Sequence, residues 1–415
     1  MTAEQTTGPI AGSERIDMMD ALRGFALLGV FIANMHSFSG WFMMSVADQA
    51  ALAGSFWRVA EGLLFGWLID GKFYTIFSLL FGVGFALQLD RLDRRGDHAS
   101  RRFARRMAGL LLIGLFHLIL IWYGDILTLY ALSGFILLAV RGWSDRRLLM
   151  VATILILLPV PAAALVHLAG IPADLGLYAI SDRIAAQTGH STTAIPQWIL
   201  RPDWASFAAW QGSSFFYRIG SLIESWRLAK VLAIMMIGLW TGRRLIDGTL
   251  FADRARLRRV MLWGLALGLP ANFLMAAMGG IEGPYGWRVA LAETGYALGV
   301  VPLALAYAAA FLLAWPRRSG LLGIFAPVGR MALTNYLSQS VMGVLIFHGI
   351  GLGLGASLAP GWFILLAILL FAGQILFSRA WLARFGQGPM EKLWRWMTYG
   401  GSATARVGSA QRRPS

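Results

Sequence analysis

The chain has 415 residues, of which 57% are hydrophobic and only 14% are charged, a balance that excludes an ordinary soluble domain and indicates a polytopic membrane protein. It has no cysteine, which excludes disulfides, thiolate chemistry and cysteine-ligated zinc. The formal net charge of +15 comes from arginines in short loops between apolar segments, so membrane orientation and anionic lipid headgroups explain it better than nucleic acid does.

Ten apolar segments are long enough to be predicted as membrane helices. They are residues 18–38, 73–89, 107–123, 126–140, 148–168, 229–245, 260–280, 289–315, 331–349 and 361–378. A further apolar run, 56–69, is interrupted by Arg58 and Glu61 and is either an interfacial helix or an eleventh span. The sequence therefore predicts an all-α bundle of about ten membrane helices, the first of them retained because no signal-peptide cleavage site follows it.

The arginine-rich loops set the expected orientation. They include Arg91, Arg94, Arg95, Arg101, Arg102, Arg105 and Arg106; Arg141, Arg146 and Arg147; and Arg243, Arg244, Arg254, Arg256, Arg258 and Arg259. By the positive-inside rule these loops and both termini are expected to be cytoplasmic, which places the turn at Gly124-Asp125 and the Asp70-Gly71-Lys72 stretch outside.

This orientation divides the chain into segments. We expect a cytoplasmic tail, an N-terminal helix bundle, an extracytoplasmic or re-entrant segment, a C-terminal membrane domain and a disordered basic tail, at residues 1–16, 17–168, 169–228, 229–399 and 400–415. The aromatic residues of 169–228 indicate that this segment packs on the membrane or caps a cavity, although helices half-inserted between Trp204 and Ile223 are equally allowed.

His117 is the only ionisable residue between Met107 and Tyr123, and Asp125 follows at the bend of the same hydrophobic hairpin. An ionisable group inside a membrane span is costly, which makes His117 a functional candidate. A carboxylate that orients an imidazole raises its basicity and fixes its tautomer, as a general base or a covalent acyl carrier requires. The structural alternative is a histidine bonded to a neighbouring helix.

Asp20 and Arg23 lie three residues apart on one face of the first helix, close enough to pair. Arg23 is either an anchor that reaches the headgroups or a ligand for phosphate. Gly82 and Gly84 favour close helix packing over a phosphate loop, because no strand precedes them.

Further polar residues in or beside the spans are candidates for substrate binding. They are Asn34, His36, Asp70, Lys72, Glu293, Asn335 and Gln339. The amides, together with Gln374, have a structural alternative as hydrogen-bonding links between helices.

Five separated motifs resemble the YeiB family of bacterial inner-membrane proteins, which carry a C-terminal domain of unknown function, and together they cover nearly the whole chain. The motifs are the stretch 22–34, the run 72–82, the hairpin 117–125, the stretch 329–340 and the closing stretch 388–400. The resemblance implies a multi-pass protein of the bacterial cytoplasmic membrane and a distant similarity to transmembrane acyltransferases, which take acyl groups from cytoplasmic acyl-CoA. In the sugar O-acyltransferases a histidine follows an arginine after ten intervening residues. Here Arg23 is followed at that spacing by Asn34, and His36 falls two residues late, so His117 is the better catalytic candidate.

Three functions remain open from the sequence. The first is transfer of an acyl group from acyl-CoA to an extracytoplasmic sugar, hydroxyl or amine, with His117 as base or carrier, Asp125 orienting it and Arg23 near the donor phosphates. The second is a small-molecule transporter in which His117 and Asp125 relay protons. The third is a non-catalytic lipid-binding or assembly factor. The expected partners are the lipid bilayer and a small-molecule or glycan acceptor, with a homo-oligomer allowed and neither a metal nor nucleic acid expected.

Overall fold

A computed structural model describes residues 12–94, 99–249, 254–278 and 285–400. The structure is 84% helical, and the described ranges contain no β-strand. The predicted all-α membrane bundle is therefore confirmed. The predicted disorder of the C-terminal tail falls almost entirely on 401–415, which lie outside the described residues.

The first half of the chain forms helices joined by short turns. They are α1 (Gly12–Phe38), α2 (Val46–Ala53), α3 (Ser55–Leu68), α4 (Lys72–Asp93), α5 (Ala99–Phe116), α6 (Leu127–Ala139), α7 (Asp145–Leu157), α8 (Pro159–Leu168), α9 (Leu177–Gln187), α10 (Ile195–Ile199) and α11 (Trp204–Glu224). A π-helical turn, His117–Ile121, continues α5 to the bend of the hairpin.

The second half continues the bundle. Its helices are α12 (Arg227–Ile246), α13 (Arg254–Met278), α14 (Tyr285–Gly295), α15 (Val301–Leu322), α16 (Ala326–Arg330), α17 (Ala332–Phe347), α18 (Pro360–Phe385) and α19 (Pro389–Tyr399). A second π-helical turn, Tyr296–Val300, joins α14 to α15.

Seven helical stretches in the described part of the chain are long and apolar enough to cross a membrane. They are Asp17–Phe38, Ser55–Asp93, Ser100–Ile121, Asp145–Leu168, Arg254–Met278, Ala290–Arg330 and Pro360–Phe385. Two shorter apolar helices, α6 and α17, correspond to predicted spans 126–140 and 331–349. Each of the ten predicted spans overlaps a helix, so the chain is a multi-pass membrane protein.

Glycines set the spacing of the central helices. A Cβ on Gly82 of α4 would lie 2.2 Å from the carbonyl oxygen of Met235, and one on Gly238 of α12 would lie 2.3 Å from that of Leu79. The two helices therefore touch backbone to backbone, as small residues allow in membrane bundles. The prediction that Gly82 serves helix packing is confirmed. Gly84 is different, because nothing lies within 4 Å of a Cβ there.

The stretch Asp70–Lys72 joins two helices of one apolar stretch, and the second of them, α4, begins at Lys72. The span Ser55–Asp93 includes α3, a short break with Gly71 at φ +80°, and α4. Phe73 packs against Gly29 in the second half of α1. Lys72, the first residue of α4, is fully buried, and the predicted position of this break on the outer side stays a prediction.

Candidate functional site

A cavity of about 1050 Å³ runs through the bundle from its arginine-rich end. Near that end its wall carries charged side chains, namely Asp20, Arg23, Asp90, Arg91, Arg94, Arg106, Arg330 and Glu391. Farther along, the wall is apolar and aromatic and includes Tyr74, Phe77, Ile126, Tyr130 and Tyr336. Its volume is at the upper end of the range of roughly 300 to 1000 Å³ for ligand pockets, which fits a ligand larger than a simple metabolite.

His117 and Asp125 form a buried pair beside the inner end of this cavity. The Nδ1 atom of His117 lies 2.8 Å from Oδ1 of Asp125, and both residues are almost completely buried. Asp125 also accepts hydrogen bonds from the backbone N–H groups of Leu127, at 3.1 Å, and Thr128, at 2.7 Å. When the carboxylate is ionised it only accepts, so Nδ1 donates to it, and in a neutral imidazole Nε2 then carries the lone pair. This Nε2 is buried and has no hydrogen-bond partner among the described residues.

Tyr336 connects the pair to the cavity. Its side chain lines the cavity wall, and its ring centroid lies 5.3 Å from that of His117. Its hydroxyl donates a hydrogen bond of 3.3 Å to the carbonyl oxygen of Gly124 at the bend. His117 itself is not among the lining residues, whereas Tyr336 both lines the cavity and packs beside the imidazole.

Arg218 brings the segment 169–228 into the site. It lies on α11, and its Nη2 donates a hydrogen bond of 2.9 Å to the carbonyl oxygen of Asp125. On the same helix, Gln211 donates to the carbonyl oxygen of Ile119 at 3.5 Å. These contacts place the helix over residues 204–224 against the hairpin, and whether this segment caps the cavity or is half-inserted in the membrane stays open.

At the opposite end of the cavity, Arg23 pairs with Asp20 as its spacing predicts. Nη1 of Arg23 lies 2.6 Å from Oδ1 of Asp20. Arg330 lies 2.5 Å from a carboxylate oxygen of Asp17 and 3.6 Å from one of Asp20. With Arg91, Arg94 and Arg106, these arginines outnumber the carboxylates of the lining, so the mouth of the cavity is positively charged.

The C-terminal helix α19 completes this mouth. The Arg106 guanidinium lies 3.6 Å from the ring centroid of Trp394, whose indole N–H donates a hydrogen bond of 2.7 Å to the carbonyl oxygen of Arg106. The Glu391 carboxylate accepts from the backbone N–H groups of Leu333, at 2.7 Å, and Thr334, at 3.1 Å, and from the Thr334 hydroxyl, at 2.5 Å. Glu391 thereby caps the first turn of α17.

A second polar cluster contains two of the predicted residues, Lys72 and Glu293. The Lys230 ammonium lies 2.7 Å from a carboxylate oxygen of Glu293, and both residues are buried. The Lys72 ammonium donates a hydrogen bond of 2.5 Å to the carbonyl oxygen of Gly66 across the break between α3 and α4. Asp70 in that break is exposed.

The other predicted residues lie apart from the His117 pair. His36 is buried at the end of α1 with its Nε2 atom 2.6 Å from Oε1 of Glu61, and Asn34 is half-buried on the same helix. Asn335 donates to the Ser378 hydroxyl at 3.0 Å, and Gln339 donates to Gln374 at 2.8 Å, so α17 and α18 are linked by these side chains. These amides therefore act as the predicted links between helices.

Tyr336, Arg218, Tyr74 and Lys230 were not chosen from the sequence. Arg218 had a detectable signal, since it is a charge directly after the aromatic run of residues 215–217. In the described part of the chain, no group of three or more histidine, aspartate or glutamate side chains is arranged to hold a metal ion.

Comparison with known proteins identifies relatives over almost the full length. A family model described as "Protein of unknown function (DUF418)" matches residues 243–401. The uncharacterized protein YxaH of Bacillus subtilis is 30% identical, covering 94% of this chain and 96% of its own. The uncharacterized protein YeiB of Escherichia coli is 29% identical, covering 93% of this chain and 96% of its own. No solved structure matches the chain.

Proposed function

Because the chain belongs to the YeiB/DUF418 family, whose relatives above are described as uncharacterized, we propose from its own site that it is a membrane acyltransferase. The donor is cytoplasmic acyl-CoA, and the acceptor is a hydroxyl or amine on the other side of the bacterial inner membrane. The observation that carries this proposal is one cavity with a positively charged mouth at one end and an oriented, buried histidine at the other.

The mouth suits the charged part of the donor. Guanidinium groups form strong charge-assisted hydrogen bonds with phosphate oxygens, and the CoA nucleotide carries several phosphates. Arg23 already shares Asp20 with Arg330, so a phosphate bound there replaces part of an existing charge network. The apolar and aromatic part of the cavity wall, which includes Tyr74 and Tyr130, then offers a passage for the uncharged pantetheine arm and the acyl group.

The His117 pair suits the chemistry of transfer. Asp125 holds Nδ1 of His117, which leaves the Nε2 lone pair free to act as a base. The hydroxyl oxygen or amine nitrogen of the acceptor attacks the thioester carbonyl carbon, and Nε2 takes the proton from that atom. The new bond to that carbon forms, the carbon–sulfur bond breaks, and the proton passes to the leaving CoA thiolate. Tyr336 must turn aside for the thioester to reach Nε2, because its ring lines the cavity beside the imidazole.

The thermal stability of purified protein in detergent tests the donor assignment, since a ligand that binds the folded state raises the melting temperature. We expect CoA and acetyl-CoA to raise it more than adenosine triphosphate does. The shift is expected to decrease in Arg23→Ala, measured against that variant without ligand, and to persist in Arg146→Ala. Arg146 is an exposed arginine at the same end of the bundle that does not line the cavity. Equal shifts for all three compounds, or none at saturation, would refute the proposal.

A second function, proton-coupled transport, is favoured by one different observation. The candidate span Ser55–Asp93 is broken at Asp70–Gly71 and carries the buried Lys72, and broken membrane helices line substrate sites in many transporters. Uptake of a solute into vesicles, driven by a pH gradient in the absence of acyl-CoA, would support this function over the first.

A further inference from the structure

One face of α4 lines the cavity along most of the length of the helix. The residues of this face recur every three or four positions, and all of them belong to the cavity wall: Tyr74, Phe77, Phe81, Gly84, Gln88 and Arg91. From Tyr74 to Arg91 the helix rises about 26 Å, at 1.5 Å per residue. The cavity is therefore elongated between its aromatic inner end and its arginine-lined mouth, a shape that suits an extended ligand.

Gly84 is the point on this face where the backbone itself borders the cavity. Its neighbours on the face, Phe81 and Gln88, carry bulky side chains, whereas a Cβ on Gly84 would have nothing within 4 Å of it. Glycine inside a helix is destabilising relative to alanine. Close packing against α12 explains the glycine at position 82 and does not explain the one at position 84. A glycine that packing does not require is typical of a place where a ligand passes close to the backbone.

Gln88 adds a polar group one helical turn from Gly84, on the side of the mouth. It is half-buried, and it is the one carboxamide among the described residues that line the cavity. Its side chain forms no hydrogen bond with other described residues, unlike Thr75 and Ser78 of the same helix. A carboxamide offers both donors and an acceptor. It therefore fits a ligand chain that carries amides better than it fits a plain alkyl chain.

We infer that the pantetheine arm of CoA passes across Gly84 and hydrogen-bonds through one of its amides to Gln88. This inference rests on the proposed acyl transfer, because it names the part of the donor that this wall binds. The order of groups along α4 matches the order along CoA. Gln88 lies about 4.5 Å further in than Arg91, and Gly84 about 6 Å beyond Gln88, just as the amides of CoA follow its phosphates and the thioester follows the amides.

Binding of two nucleotides to the full-length protein in detergent tests this inference. They are CoA and adenosine 3′-phosphate 5′-diphosphate, which is CoA without its pantetheine arm, and titrations of the melting temperature give the dissociation constant of each. In the unaltered protein we expect CoA to bind at least about tenfold more tightly, because only CoA reaches the wall at Gln88 and Gly84.

Gly84→Leu places a side chain in the path of the arm while keeping a good helix former at this position. We expect the ratio of the two dissociation constants to fall to about one, with binding of the armless nucleotide unchanged. Gly62→Leu is the matched control, because Gly62 also has nothing within 4 Å of an added Cβ but is exposed on α3 and does not line the cavity. It is expected to keep the ratio of the unaltered protein.

Two further variants extend the test. Gly84→Ala adds a single methyl group, so we expect it to lower the ratio by less than Gly84→Leu does, and it keeps the inference testable if the leucine variant does not fold. Gln88→Leu removes the amide at a similar side-chain size. The loss of one hydrogen bond is expected to lower the ratio by roughly threefold to tenfold.

A ratio that stays unchanged in Gly84→Leu and Gly84→Ala overturns the route across Gly84, and one that stays unchanged in Gln88→Leu overturns the hydrogen bond. Failure of this inference is distinguishable from failure of the proposed function. If the two nucleotides bind the unaltered protein equally well, CoA is held by its nucleotide alone, and only the inferred position of the arm is wrong. If CoA does not bind at all, the donor assignment itself is wrong.

Discussion

Asp125 holds His117 from one side and the next helix from the other. Its Oδ1 atom accepts from the imidazole at 2.8 Å and from the backbone N–H of Leu127 at 3.1 Å, while Oδ2 accepts from that of Thr128 at 2.7 Å. The orientation of the imidazole is therefore tied to the first turn of α6. A side-chain rotation that released the histidine would also leave that helix end without its hydrogen-bond acceptor.

Replacing His117 tests its role as a base. In His117→Gln, we expect acyl transfer to fall by roughly 10²- to 10⁴-fold while the protein still folds, because the proton acceptor is lost. The measurement is transfer of labelled acetyl groups from acetyl-CoA to products in membrane vesicles. His348→Gln is the control, since His348 also has a buried ring nitrogen without a partner in the described residues, but its ring packs against Phe207 instead of Tyr336. Full turnover in His117→Gln would exclude His117 as the general base.

The two glycines of α4 are predicted to respond differently to alanine. In Gly82→Ala the added methyl group meets the Met235 carbonyl oxygen, so we expect a loss of about 1 to 3 kcal/mol in the free energy of unfolding. Gly84→Ala adds the same group where nothing lies within 4 Å, and we expect stability to be unchanged or slightly increased. Unfolding in a detergent titration measures both. Equal losses of unfolding free energy at the two positions would contradict the close contact between α4 and α12 at Gly82.

The buried pair of Lys230 and Glu293 is predicted to show strong coupling. Lys230→Met or Glu293→Gln alone leaves one buried charge unpaired and is expected to cost about 3 to 5 kcal/mol. The double variant removes both charges, so we expect it to lose less than the sum of the single losses. A double-mutant cycle on the free energy of unfolding measures this difference, and additive losses would show that the contact contributes little.

Removing the carboxylate of Glu391 is predicted to loosen α19. In Glu391→Ala the backbone N–H groups of Leu333 and Thr334 lose their acceptor, which typically costs about 0.5 to 2 kcal/mol at a helix start. Faster protease cleavage near α19 is the expected observation. The neighbouring Lys392 is exposed, and Lys392→Ala should leave the cleavage rate unchanged. Equal rates for both variants would show that the cap does not hold the helix.

The sequence predicted the features of this molecule that depend on residues close together in the chain. Hydropathy located the helices, and the short bend between α5 and α6 brought His117 next to Asp125 because a hairpin leaves few alternatives. The same local logic did not reveal that Lys72 is buried, since the packing of α3 against the start of α4 depends on contacts that the local sequence does not show. Arg218 and Tyr336 could not be assigned to the site, because their positions depend on how distant helices pack.

The cap at Glu391 also has a consequence for biosynthesis. Helix α19 is translated after all the other helices that line the cavity. The earlier spans therefore enter the membrane while the arginine-lined mouth still lacks Trp394 and Glu391. The arginine-lined end of the cavity acquires its full wall only when α19 has left the ribosome and docked between Arg106 and Thr334.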